Sequence, residues 1–345
     1  MKAVVYGLLL LCVAGMAASG WFLWRVYDFM YVPPEDPGRE VLFLVEPGQP
    51  FSVVARNLAE QSLVKDAGQF TALAEERGKT GSIRAGEFRL NTGWLPPTVL
   101  EELTSTSGIM HRVQVREGLN WWQTAAIVDQ AGFGGVESFK AAVHDPALLR
   151  KYGIPADSAE GYLFPETYLL TRPRHPEGRA IVEAMLEEFR HSIHKVWPGG
   201  LPSPTAIHET VILASLVEKE TGDPSERARI AGVFANRLRR GMLIQADPTV
   251  IYGLGPGFDG NLTRADLTDR SNPYNTYAHP GLPPGPICSP GLDALMAAAH
   301  PEAHAFLYFV AKGDGSHHFS RTLKEHNAAV AKFQLRRNRK TYRSF

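Results

Sequence analysis

The chain carries no charge from Ala3 to Trp24, "AVVYGLLLLCVAGMAASGWFLW". About 20 such residues suffice to cross a bilayer core, so the run predicts a transmembrane anchor over residues 4–25, with residues 1–3 on the cytoplasmic side. A cleaved signal peptide competes with this reading, because Ala17-Ala18-Ser19-Gly20 mimics a cleavage site. Against it, "WFLW" continues the apolar run past that cluster. Residues 26–40, which include "VPPEDPGRE", are Pro-rich and polar and predict a stiff spacer. From Val41 the pattern becomes that of folded structure. "VLFLVEPGQPFSVVARNLAEQSLV" predicts a strand, a turn at Gly48 and an amphipathic helix with Phe51, Val54, Ala55 and Leu58 on one face. The same layout returns at an offset of 70 residues, where Val115, Gly118, Trp121 and Ala125 take the places of Val45, Gly48, Phe51 and Ala55.

Between residues 134 and 200 the pattern is helical with Pro/Gly breaks, interrupted by "AEGYLFPETYLL" at 159–170. There Tyr162, Phe164 and Tyr168 interleave with Glu160, Glu166 and Thr167. A core strand with a proline bend and the wall of a sugar groove both fit, since aromatic faces stack on sugars and carboxylates take their hydroxyls. A long apolar helix is expected from Pro204 to Thr221, stopped by Gly222 as its C′ residue. Asp223 then offers an N-cap, Pro224 a first helical position and Glu226 a capping box. The helix that follows places Ile230, Val233, Phe234 and Leu238 on one face and ends at Gly241. Asp247 and Pro248 in "QADPTVIYGLG" open another. Residues 272–290, "NPYNTYAHPGLPPGPICSP", form a long irregular loop whose aromatics argue for a functional role. "FLYFVAKGDGSHHFS" predicts a β-hairpin, with His317 and His318 as a polar surface pair. The fold class expected is α+β: an N-terminal transmembrane helix, a small α+β domain over 41–110, and a larger mixed α+β domain over 111–340.

Composition narrows the class. With 345 residues, 44% apolar and 21% charged, the chain is globular after its anchor. Lys+Arg and Asp+Glu number 36 each, so no positive field gathers a phosphate backbone and no nucleic-acid partner is expected. The basic C-terminal run "RRNRKTYR" is expected to be a solvated end. The two cysteines, Cys12 and Cys288, give no disulfide framework. His208-Glu209 begins like a zinc helix, but Ile212 stands where the second histidine is required. With no P-loop, nucleophile elbow or paired-cysteine spacing either, no metal and no cofactor are expected.

What remains is "VEKET", where Glu218 and Glu220 flank Lys219 at the end of the long helix. Residues two apart on an α-helix project about 160° from each other, so the pair cannot share a proton. Periodicity does not choose between them, since each has apolar companions. Glu220 lies nearer the helix C-terminus, where the negative dipole end raises a carboxyl pKa, as a general acid requires. In the competing reading both carboxylates pair with Lys219, Arg227 or Arg229 and only hold helices together.

"ASLVEKETGDPSERARIAGVFANRLRRGM", "QADPTVIYGLG", "YNTY", "GLPPGPICSPG" and "HHFSRTLKEHN" together resemble the YceG-like endolytic murein transglycosylase family. The likeness runs from the anchor to about residue 330. It implies a membrane-anchored lyase that cuts the MurNAc-β-1,4-GlcNAc bond of nascent peptidoglycan and leaves 1,6-anhydro-MurNAc ends, so terminating polymerisation. The resemblance assigns catalysis to Glu220 and places Gln245, Asp247, Tyr252, Tyr274, Asn275 and Tyr277 along the sugar groove, with Glu218 and Glu166 in support. Glu166 departs from the family pattern, which more often carries Asp there. The unit at 41–110 resembles the LysM modules that grip wall glycan. The partners implied are peptidoglycan glycan strands, the cytoplasmic membrane, and peptidoglycan synthases or division machinery, with the catalytic domain outside that membrane. A non-catalytic wall-binding or division scaffold, and a hydrolase that uses water, remain as alternatives.

Overall fold

The structure, a computed structural model, describes residues 2–171 and 177–335. The basic run at 336–343 lies outside the described residues. The chain divides into two compact units, residues 1–112 with 169–175, and residues 113–168 with 176–345.

The first unit contains α1 (Lys2–Tyr31), β1 (Glu40–Val45), α2 (Phe51–Glu60), α3 (Ala67–Glu76), β2 (Gly86–Asn91) and α4 (Pro96–Ser105). β1 and β2 pair antiparallel, with Phe43 opposite Phe88. Both rings are fully buried, with Leu58, Phe70, Leu90, Leu100 and Leu103 around them; each such side chain contributes about 1.5–3 kcal/mol. Most of α1 exposes its apolar side chains, Leu10, Leu11, Phe22 and Leu23 among them. It is long and apolar enough to cross a membrane. The helix runs six residues past the expected end of the anchor, because its last turn has a core to join. Phe29 is buried in the cluster of this unit, and Arg25 and Asp28 pair with Asp66 and Lys65. The expected spacer is likewise held down, with Glu35 N bonded to Thr92 O and Glu35 Oε2 accepting from the Thr92 hydroxyl.

β3 (His111–Gln114) pairs with β4 (Thr167–Leu170). The second unit then runs through α5 (Trp121–Gln130), α6 (Val136–Val143), α7 (Pro146–Lys151), α8 (Gly178–Val196), α9 (Pro204–Glu220), a 3-10 turn (Pro224–Glu226), α10 (Arg227–Arg239), α11 (Asp247–Leu254), α12 (Arg264–Thr268), α13 (Leu292–Ala299), the hairpin β5 (Tyr308–Ala311) and β6 (His317–Ser320), and α14 (Leu323–Val330). The repeated strand-turn-helix layout is present locally, with Gly48 and Gly118 at φ 75° and 76°, a region where a side chain would be strained. α9 lies at the centre, packed by α10, α11 and α13. Residues Val211 to Val217 are buried in succession, which is why its sequence is apolar on every side.

The long loop at 272–290 has no regular structure yet is ordered on α9. Ser215 Oγ accepts from Ile287 N at 3.1 Å, and the Cys288 thiol donates to Ser215 O at 3.4 Å. The segment at 159–166 closes the same corner. Gly161 has φ 82°, and a Cβ there would stand 2.5 Å from Pro286 and 2.8 Å from Val211, so only glycine fits.

Candidate active site

The apolar helix α9 leaves the core at its C-terminus, and its last three residues are the "EKE" of the motif. Thr221 turns extended at φ −146° and ends the helix; Gly222 does not take the left-handed conformation expected of a C′ glycine. Glu220 points into a cavity of about 570 Å³ lined also by Arg237, Gln245, Asp247, Tyr277, Tyr308, His317 and His326. Its carboxyl accepts no hydrogen bond among the described residues, while burial pushes its pKa up to about 7. Asp247 adds to the rise and Arg237 opposes it. The direction is that expected from helix position, but removal from water is the larger cause.

The cavity wall is built to stay in place. Arg237 is nearly buried, and its guanidinium donates to the Leu307 and Ile244 carbonyls at 2.7 Å each. Tyr277 OH donates to Asp247 Oδ1 at 2.5 Å. Asp247 therefore sits in the first turn of α11 as a cavity carboxylate, and Ala246, not Asp247, occupies the N-cap. Gln245 has φ 54°, a conformation that costs a non-glycine residue about 1–3 kcal/mol and concentrates at functional sites. It is held there by its N–H on Thr276 O at 3.1 Å, with Ala246 N on Thr276 Oγ1.

Glu226 and His317 both depart from expectation. Glu226 makes no capping box; its carboxylate accepts from His317 N at 3.0 Å and from His317 Nδ1 at 2.7 Å. The reason is burial: a buried carboxylate needs strong donors, and Asp223 already caps the 3-10 turn through Ser225 N. On β6 the side chains alternate, so His317 faces inward to the cavity and only His318 is exposed.

The other sequence-derived residues divide among different places. Glu218 is occupied, accepting from Gly291 N at 3.0 Å at the start of α13 and lying 3.6 Å from Arg227. Lys219 donates separately to Gly118 O. Glu166 is exposed and lines another cavity, with Glu117 and Glu218, and accepts from Thr167 N. Tyr252 lies in an aromatic row, 5.0 Å from Trp122 and 4.7 Å from Tyr274 between ring centres. It lines a neighbouring cavity with Trp122, Gln123, Lys219 and Phe258. Asn275 is fully buried: its amide donates to the Asp266, Leu267 and Asp269 carbonyls and its oxygen accepts from Tyr277 N. With both amide hydrogens committed and its oxygen engaged by Tyr277 N, this fully buried side chain clamps the loop and does not face the Glu220 cavity.

Tyr162, Phe164 and Tyr168 lie in the core, Tyr162 OH meeting His208 Nδ1 at 2.9 Å, and the strand begins only at Thr167. The segment matters through Glu160. This carboxyl is buried beneath the aromatic row and accepts from Trp121 N, Gly161 N and Tyr252 OH at 3.0–3.2 Å. Burial pushes it up to about 7. The interleaving of acidic and aromatic residues was its only trace in the sequence.

The YceG-like family model matches residues 43–332. The endolytic murein transglycosylase of Bacillus subtilis (strain 168) is 32% identical over 309 residues, covering 85% of this chain and 84% of that protein. A Streptococcus pneumoniae (strain D39) protein of the same name is 28% identical; the alignment takes in 96% of this chain and 65% of that longer protein. The crystal structure of a YceG-like protein from Listeria monocytogenes superposes with a TM-score of 0.57 at 26% identity, covering 84% of this chain and 99% of that one. The chain belongs to the YceG-like family.

Proposed function

We infer that the protein is an endolytic peptidoglycan lytic transglycosylase and that Glu220 is its acid and base. The observation that carries this is Glu220 itself, a carboxyl with no hydrogen-bond partner among the described residues, facing a cavity, with its pKa raised to about 7. A general acid needs a proton to give near neutral pH, and Glu218 is committed to Gly291 and Arg227. The names of the Bacillus and Streptococcus relatives support the reaction class.

Glu220 gives its proton to the glycosidic oxygen as the bond from C1 of MurNAc to O4 of GlcNAc breaks. The resulting carboxylate then takes the proton of the MurNAc C6 hydroxyl as O6 bonds to C1. The acid is regenerated, no water is consumed, and the product ends in 1,6-anhydro-MurNAc. One carboxylate suffices because the nucleophile is part of the substrate, unlike the paired-carboxylate glycosidases. Arg237 and Asp247 hold the proton affinity of Glu220 between its two roles. Gln245 and Tyr277 contact the sugar from the same cavity, and the Trp122–Tyr252–Tyr274 row offers stacking faces beside it.

In this reading α1 is a single-pass anchor and the rest of the chain works outside the cytoplasmic membrane. The β1–α2–α3–β2 order of the first unit, with its strands paired antiparallel, supports a LysM-like module. The test is digestion of peptidoglycan strands by the full chain with mass spectrometry of the products. Anhydro ends, lighter by one water than reducing ends, are expected; reducing ends would identify a hydrolase, and no product a scaffold.

A further inference from the structure

The Glu220 cavity holds a second polar group that the reaction above does not use. His317 enters it from β6, where the ladder with β5 sets Ala311 opposite His317. Its ring is held edge-on by Phe309, with centres 5.5 Å apart and planes at 89°. Glu226 grips it at two points, the backbone N–H at 3.0 Å and Nδ1 at 2.7 Å, and both side chains are about nine-tenths buried. A carboxylate facing Nδ1 selects the tautomer with its proton on that nitrogen, and in that tautomer Nε2 carries the lone pair. Nε2 makes no hydrogen bond among the described residues, and the residue that carries it lines the Glu220 cavity with 11% of its side chain exposed. A buried carboxylate that orients an imidazole is the arrangement proteins use where the other ring nitrogen has a task.

Resting on the proposed cleavage of glycan at this cavity, we propose that His317 is a second substrate-contacting residue, its Nε2 accepting a hydrogen bond from a hydroxyl of the bound sugar, and that Glu226 is the positioning residue that fixes the tautomer. Glycan presents hydroxyl donors along its whole length, so an acceptor facing the cleavage cavity fixes the register of the strand against Glu220. The sequence motif "HHFS" thus divides by strand alternation into an inward ligand-facing histidine and an outward one.

Two substitutions test the pair in the full chain. His317→Asn retains a donor for Glu226 in the place of Nδ1 and deletes the Nε2 edge. Glu226→Gln leaves its carbonyl oxygen to accept from the His317 backbone N–H and inverts only the ring contact: its amide donates to Nδ1, so the proton moves to Nε2 and the acceptor is lost. Each should lower kcat/KM by about 5–100-fold, the cost of leaving one buried partner without its hydrogen bond, with the melting temperature little changed. The double variant should be no worse than His317→Asn alone, because both remove one hydrogen bond. Wild-type kcat/KM in His317→Asn, or additive losses in the double variant, would overturn the proposal. If Glu226→Gln does not fold, His317→Asn decides alone. A binding arm keeps this separate from the cleavage reading. In the Glu220→Gln background, His317→Asn should weaken the Kd for glycan oligomers about tenfold, and an unchanged Kd would also overturn it, whether or not the wild type cleaves.

Discussion

The substitution Asp247→Asn isolates the electrostatics of Glu220. Burial and the Asp247 charge raise the Glu220 pKa from 4.5 to about 7, against Arg237. With a midpoint near 7, the protonated fraction falls from about 0.9 at pH 6 to about 0.1 at pH 8, so kcat/KM, which reports the free enzyme, should drop about tenfold across that interval. An unperturbed carboxyl would place the same limb near 4.5. Asparagine keeps an oxygen to accept from Tyr277 but removes the charge. A like charge at this range is worth on the order of one pKa unit, so the limb should move down by about that much while staying above 4.5, since burial remains. At pH 8 the variant loses about tenfold beyond any loss it shows at pH 5. Initial rates on soluble glycan strands between pH 4.5 and 9 provide the profile. Lost sugar contacts lower the whole curve without moving it, so the position of the midpoint is the decisive quantity. A midpoint that stays put or rises would refute the electrostatic account.

Three other outcomes follow from the packing. Glu160 has its pKa raised from 4.5 to about 7 by burial, so its contribution to stability is full below 4.5 and is lost as pH rises through 7. The stability of Glu160→Gln relative to wild type should therefore improve by up to about 3 kcal/mol between pH 5 and 8, read by denaturant unfolding; a gap independent of pH contradicts this. Glu218→Gln keeps an acceptor for Gly291 N, so its kcat/KM should stay within about tenfold of wild type, short of the 10²–10⁴ that loss of a general acid costs. Gly161→Ala combines a left-handed φ with a 2.5 Å approach to Pro286 and should cost about 3 kcal/mol or more; a melting temperature within 2 °C of wild type, against about 2–4 °C per kcal/mol, contradicts the packing described.

How much of this could be read from the sequence depended on whether the signal was local. Helix α9, the irregular loop at 272–290 and the β5–β6 hairpin are written in apolar period and in Pro/Gly punctuation, and they are where those patterns put them. The raised proton affinity of Glu220 was also accessible in direction, from its place at a helix end. The errors arose where a long-range partner outcompeted a local one. Glu226 matches a capping box three residues after Asp223, yet His317, distant in sequence, supplies two donors to a carboxylate that has been buried. Asn275 lies in a motif full of groove residues, but three carbonyls around α12 claim its amide. Glu160 and its link to Tyr252 depend on two segments meeting, which no window of sequence contains. The anchor helix extended past its apolar run because Phe29 found the core of the first unit.

The central claim is that one carboxyl does the chemistry, and Glu220→Gln tests it most directly. Glutamine keeps the shape of the side chain but can neither give nor take the proton. Assayed as the full chain on peptidoglycan strands, the variant should lose anhydro-ended products by about 10²–10⁴-fold while its melting temperature holds. Anhydro products at the wild-type rate from a folded Glu220→Gln protein would contradict the account.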